Sequence, residues 1–531
     1  MEQKLTQKIL ISHYHKVHLS NGIYRNSLRI ITTFCVILSI VFSACQQEPD
    51  KGKPNILFIM SDDHTSQTWG IYGSVLDEII RTPNIGRLSE EGAQLMNVFA
   101  TNSICTPSRA AILTGQYSHK NGVYTLSDRI DPEKQTFPVL FQQNEYQTAL
   151  IGKWHLKTRP SGFDYYNVLP GQGRYFDPIL RDSTNWPEGT EYEGFTADVI
   201  TDHSLDWLKK RKKEKPFLLM THFKATHEPF NYPERFDTLY AGTEIPEPES
   251  LYDFYPEETS RTFEGQVLEI LGQRFEENPE RYSTDEFSLD GLDKKEARHK
   301  TYQKFVKDFL RSGAAIDENI GRLLSYLDEN GLAENTIVIY TADQGYFMGE
   351  HGLFDKRMMY EESIRMPFVI RYPQEIEPGT KNEDIILNTD FAPLLLDYAG
   401  IAVPDDMQGR SFRANLANQT SSDWRQEMYY RYWMHEEHRP AHLGIRTNRY
   451  KLIYLYGQPL KNGYDDPPTE PTWEFYDLED DPKELNNLYN NAEYQEEINE
   501  LKNQMIELKE LVEDSDDQYP VMKTLLENIA N

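Results

Sequence analysis

From Pro54 onward the chain alternates short apolar runs with longer stretches of helical period. NILFIM (Asn55–Met60), TALIG (Thr148–Gly152), PFLLMTHF (Pro216–Phe223), TIVIYT (Thr336–Thr341) and PFVIRY (Pro367–Tyr372) are strand-length and largely apolar. Strands covered by helices on both faces carry this pattern, whereas strands with one wet face alternate. TPNIGRLSEEG reads as a helix capped by Thr82, with Pro83 in its first turn and Gly92 stopping it. Further helices are expected over Ala197–Arg211 and Tyr302–Asn330. The predicted class is α/β, a mainly parallel sheet flanked by helices.

Two stretches break the alternation. Residues 238–300 are acidic, proline-bearing and weakly periodic, and read as a surface insertion in a catalytic domain spanning 54–415. Cleft-shaping and solvated decoration are both open for it. Over 416–531 the signals favour a smaller C-terminal antiparallel α+β subdomain. LGIRTNRYKLIYLYG and WEFYDLEDDP read as strands, and Tyr494, Ile498, Leu501, Met505, Leu508 and Leu511 form one helical stripe.

Composition adds bounds. At 531 residues the chain exceeds one typical core, and 33 Tyr and 25 Phe supply ample packing material. A net charge of −30 argues against binding of nucleic acid through overall charge, though a local cationic pocket remains compatible with it. The first 44 residues read as a lipoprotein signal peptide. Lys4, Lys8, Lys16, Arg25 and Arg29 stand against Glu2, and an apolar run from Ile30 to Ala44 ends in VFSAC. That ending resembles a bacterial lipobox, with Cys45 as the lipidated residue and 45–53 as a polar tether. The expected location is an exported lipoprotein, periplasmic or cell-surface, that meets the membrane only through its anchor. Of the three cysteines, removing Cys35 and lipidating Cys45 would leave Cys105 as a lone thiol in an oxidising setting.

Ligands of open parallel sheets bind at the carboxyl ends of the strands. Asp62 and Asp63 follow the first strand, Lys153 and His155 the second, and His222 and His227 lie at the end of the third. Asp343, Gln344, His351 and Lys356 follow the fourth. Asp62, Asp63, Asp343 and Gln344 offer only oxygen, which suits a hard divalent cation and not zinc. Lys153, Lys356, Arg109, His155 and His227 would hold an anion against it. Such a site suits a phosphate or sulfate ester. CTPSRAAILTG places Cys105 where a loop enters a helix, so its thiolate is expected to be favoured.

The same CTPSRAAILTG resembles the C-x-P-S-R-x-x-x-L-T-G signature of the formylglycine-dependent type I sulfatases, through Cys105, Pro107, Ser108, Arg109, Leu113, Thr114 and Gly115. The resemblance extends to SDDH, GKWHL, THEPF, TADQGYFMGEHGLFDKRMMYEES and WEFYDLEDDPKELNN. It implies an alkaline-phosphatase-like fold and sulfate ester hydrolysis. It also implies that a separate maturation enzyme oxidises Cys105 to formylglycine. One hydroxyl of the hydrated aldehyde attacks sulfur and the other expels sulfate. By the same resemblance Asp62, Asp63, Asp343, Gln344 and modified Cys105 hold one Ca2+. Arg109 and His155 hold the formylglycine, Lys153 and Lys356 bind sulfate, and His227 protonates the leaving oxygen. Gln344 departs from the usual Asn or His. His351 either touches substrate or packs.

The implied substrate is a sulfated polysaccharide or oligosaccharide, algal (ulvan, carrageenan) or a glycosaminoglycan, attacked in exo fashion. Two rivals remain: a phosphonate or phosphate ester hydrolase of the same superfamily, and an inactive surface glycan-binding lipoprotein.

Overall fold

The computed structural model describes residues 52–253, 264–283, 287–461, 463–464 and 466–527. The signal segment, Cys45 and most of the tether lie outside the described residues. From Lys53 onward the chain forms one compact unit, so the catalytic and C-terminal parts are not detached bodies.

Among the described residues the main sheet contains nine strands: β1 Asn55–Asp62, β2 Ala93–Phe99, β3 Gln147–Lys153, β4 Tyr165–Leu169, β5 Phe217–Thr226, β6 Thr336–Ala342, β7 Arg365–Arg371, β8 Thr380–Asn382 and β9 Ile386–Leu387. Their order is β8-β2-β7-β6-β1-β5-β3-β4, with β9 also on β2. Only β7 runs antiparallel to its neighbours. Along β1, Ile56, Phe58 and Met60 enter one core and Leu57 and Ile59 the other. Both faces are therefore dry, which is why the run is continuously apolar. Strands β2 and β4 escape the sequence reading because AQLMNVF and YYNVL mix polar residues into short runs.

Four helices matter for the site: α1 Pro83–Glu90, α2 Cys105–Thr114, α3 Thr196–Lys210 and α5 Lys294–Glu329. Thr82 does not cap α1; its hydroxyl donates to Trp69 O at 2.7 Å. Gly92 marks a close passage instead of a stop, since a Cβ there would lie 2.1 Å from Ile370 O. Helix α5 begins eight residues before the expected Tyr302, because Asp293 and Glu296 form a capping box ahead of its polar first turns. That start takes Lys294–Lys300 out of the expected surface insertion. The insertion is also not solvated throughout. Helix α4 (Leu268–Glu277) buries Leu268, Leu271 and Phe275 with Ile245 and Leu251.

The C-terminal sheet is antiparallel, in the order β10 Glu427–Tyr432, β11 His442–Thr447, β12 Tyr450–Leu455 and β13 Thr472–Asp477. Helix α6 Gln495–Leu511 docks through Ile498, Leu501 and Met505, but Leu511 is 77% exposed and falls off the stripe. Tyr430 on β10 ties this sheet to the site. Its hydroxyl accepts from Ser103 N at 3.1 Å and donates to Arg357 O at 2.5 Å.

Candidate active site

Because β6, β1, β5 and β3 are consecutive in the sheet and parallel, their polar ends reach one rim. Asp62 ends β1 after a register shift, and Asp63 follows with φ 66. Asp343 follows β6, and its Oδ1 accepts from Asp63 N at 3.2 Å. Carboxylate oxygens of Asp62, Asp63 and Asp343 all lie within 4.8 Å of one another. Three buried anions so close require cations. Lys153 Nζ donates to Asp62, and Lys356 Nζ reaches both Asp63 oxygens at 2.7 Å. Arg109 Nε donates to Asp343 at 2.9 Å and Nη1 to Lys153 O at 3.0 Å.

The cluster fits a hard metal ion on its own chemistry. Among the described residues, the buried Asp62 Oδ1 has no hydrogen-bond partner; Gln344 turns Nε2 toward Asp63 and Cys105, and the reversed amide would present its unpartnered Oε1 there. Burying such acceptors is costly unless something binds them. All candidate donors among Asp62, Asp63, Asp343 and Gln344 are oxygen. Burial raises the Asp63 carboxyl to about 6 against the pull of Lys356. Burial also opposes charge on Lys356, but Asp63 outweighs it and holds the ammonium well above its ordinary value.

Cys105 is the first residue of α2 and is buried. Its sulfur lies within 4.8 Å of an Asp62 oxygen and a His227 ring nitrogen, and 3.6 Å from Gln344 Nε2. The expected thiolate is corrected here. Burial pushes the thiol up to about 12, with Asp343 and Asp63 adding to it and Lys356 and Arg109 too weak to reverse it. The helix N-terminus does not compensate for removal from water.

His155 adopts φ 57, and its carbonyl accepts from Thr106 Oγ1 at 3.2 Å, which ties the β3 end to α2. Its buried Nδ1 has no partner among the described residues. His227 Nδ1 lies 2.9 Å from Glu228 O and Nε2 3.9 Å from Asp63 Oδ2. Burial, then Lys153, Lys356 and Lys224, hold the His227 ring well below its usual range, so it is neutral before an anion arrives. His222 is buried with Nδ1 3.1 Å from Lys153 O, a structural place. The contacts of His351 lie elsewhere. Its ring is fully buried against Tyr360 (5.2 Å) and Phe347, with Nδ1 3.5 Å from Asp253. Packing is the role this gives it, in place of the substrate contact.

Sequence reasoning missed several supports. Gln266, inside the apparent insertion, donates to Phe354 O at 3.2 Å and to Lys356 O at 2.6 Å, fixing the loop that carries Lys356. Gln172 accepts from Lys153 Nζ. Lys224 and Tyr175 flank His227, and the Tyr175 hydroxyl donates to His227 O at 2.5 Å. Only Lys224 carried a signal, as a lysine near the end of an apolar strand.

Carboxylates that need a cation and basic groups that need an anion, on one parallel-sheet rim, suit a hydrolase of anionic esters. Residues 54–401 match the Sulfatase family, and 349–511 match the N-sulphoglucosamine sulphohydrolase C-terminal family. The chain belongs to the sulfatase family, and it is a sulfuric ester hydrolase of alkaline-phosphatase-like fold. It is 38% identical over 522 residues to an N-acetylglucosamine-6-O-sulfatase of Bacteroides thetaiotaomicron, covering 90% of each chain. An ulvan-active sulfatase of Formosa agariphila is 26% identical, covering 89% of this chain and 85% of that protein. The structure of BT4656 in complex with its substrate D-glucosamine-2-N,6-O-disulfate is also similar. It has a TM-score of 0.79 and 38% identity, covering 88% of this chain and 100% of that one. A phosphonate monoester hydrolase from Silicibacter pomeroyi shares the fold, with a TM-score of 0.66 at 19% identity, covering 86% of this chain and 95% of that one.

Proposed function

We propose that the enzyme removes the 6-O-sulfate of a glucosamine unit in a glycosaminoglycan fragment, using formylglycine made from Cys105 and one Ca2+. The observation that carries the sugar is the 38% identity, over nine-tenths of both chains, to an N-acetylglucosamine-6-O-sulfatase. The chemistry is supported by the place of Cys105 at the head of its helix, among groups that fit an anion and a cation. Asp62, Asp63, Asp343 and Gln344 would hold the cation, whose charge would polarise sulfate oxygens. Once formed, the hydrated aldehyde supplies the attacking hydroxyl and a second one for release.

The chain's own residues do the rest. Arg109 orients the mouth of α2 against Asp343, and Lys153 and Lys356 supply positive charge for sulfate. His227 is neutral in the free site. A bound sulfate offsets the three lysines that add to the effect of burial, which favours a proton on the ring for delivery to the leaving oxygen. Maturation requires a formylglycine-generating enzyme. VFSAC supports lipidation at Cys45 and export to the periplasm or cell surface.

The test is sulfate release by the matured chain from N-acetylglucosamine-6-sulfate, glucosamine-2-N,6-O-disulfate, and ulvan and carrageenan oligosaccharides, beside aryl phosphonate. We expect the 6-sulfated glucosamines to lead by more than about tenfold in kcat/KM, the scale of a well-placed polar contact. Equal turnover of ulvan would sink the sugar assignment. Faster phosphonate than sulfate turnover would overturn the chemistry.

A further inference from the structure

The rim carries a third lysine besides Lys153 and Lys356. Lys224 lies near the carboxyl end of β5, beside β3, where Gly152 pairs with His222 and Lys153 follows. The two lysines therefore stand at neighbouring points of the rim. Lys224 is 3% exposed, and its Nζ sits 4.7 Å over the ring of Tyr175, whose hydroxyl holds His227 O. Lys153 contacts Asp62, Lys356 contacts Asp63, and Arg109 contacts Asp343. Lys224 differs from them. Among the described residues, no carboxylate oxygen lies within 4.0 Å of its ammonium, and no hydrogen bond joins it. Burial lowers its ammonium to about 8, with Asp63 and Glu228 opposing that only at longer range and Arg281 adding to it. It is near enough to Lys153 and His227 to disfavour the charged form of both.

A nearly buried ammonium without an anion is expensive unless one arrives during function. We propose that Lys224 is a further sulfate-binding residue, donating to an oxygen of the reacting sulfate beside His227. Lys153, Lys356 and Arg109 are already committed to carboxylates, whereas Lys224 has its charge available for substrate. Tyr175 fixes both partners, with its ring under Lys224 and its hydroxyl on the His227 backbone. The assignment rests on the catalytic cluster proposed above.

The experiment uses the full chain matured to formylglycine, with Lys224→Met and Lys224→Arg, after intact-peptide mass spectrometry shows equal modification of Cys105. The readouts are inhibition by inorganic sulfate and kcat and KM for an aryl sulfate, which carries no second anion. Losing one charge-assisted contact is worth about tenfold to a hundredfold. Lys224→Met should weaken sulfate inhibition and lower kcat/KM by that factor, and Lys224→Arg should recover part of both. The melting temperature of Lys224→Met should change little, because the lost contact with the Tyr175 ring is offset by no longer burying an unpaired ammonium. Unchanged sulfate inhibition and aryl sulfate kinetics in Lys224→Met would overturn the assignment. So would a loss confined to disulfated sugars, which would move Lys224 to a different anion. A parent enzyme that releases no sulfate would sink the underlying reading instead.

Discussion

At Cys105 burial and the helix N-terminus pull in opposite directions, and burial prevails. A protonated thiol is a poor nucleophile. Cys105→Ser keeps nearly the same shape but cannot supply a second hydroxyl for sulfate release. Multiple-turnover sulfate release should fall at least about 10^3-fold, as for loss of a covalent nucleophile, with the circular dichroism spectrum unchanged. Substantial steady turnover in that variant would refute a formylglycine mechanism. At His227 burial, then three lysines, hold the ring neutral, and an incoming sulfate offsets the lysines' share.

Among the elements, β3 carries the tightest constraint. Gly152, one residue before Lys153, has φ 107, and a Cβ there would lie 1.9 Å from His222 O. Substitution must therefore separate β3 from β5 or strain both, and these are the strands that present Lys153 and His227. Gly152→Ala should destabilise the protein by about 3 kcal/mol or more and lower kcat together with stability. A urea midpoint within error of the parent would contradict this close-passage account. The antiparallel sheet contributes at the same scale. Tyr430 bridges Ser103 N and Arg357 O, so β10 braces both the turn before Cys105 and the loop after Lys356.

For the whole molecule, buried histidines set a pH limit. Burial lowers His64 and His222 to about 3 and His442 to about 4, below the ordinary 6.5. The unfolded chain therefore takes up protons first on acidification. The stability these rings contribute is complete above pH 6.5 and is lost progressively toward pH 4 and below. At about 1.4 kcal/mol per unit for each ring, three of them remove about 4 kcal/mol between pH 7.5 and 5.5. Urea unfolding at those two pH values should show at least that drop, and His442→Gln should shrink it by about 1.4 kcal/mol. Equal stability at both would show that the rings are not held neutral.

The sequence alone determined the α/β class, because wholly apolar strands are stable only when both faces are covered. It also determined the chemistry on offer, since Asp62, Asp63, Lys153, His227 and Asp343 sit at strand ends whatever the strand order. The signature around Cys105 marked the family. Tertiary structure decided what depends on neighbours far along the chain. The order β6-β1-β5-β3 turned separate strand ends into one cluster, and β7 was set antiparallel among parallel strands. Burial, which has no local signature, reversed the expected acidity of Cys105 and drew His351 into packing. Gln266 could not be read from its acidic surroundings, because its contact with the Lys356 loop spans 90 residues. Residue type and period fix what each element can do, and only packing decides which charges meet and how much water they keep.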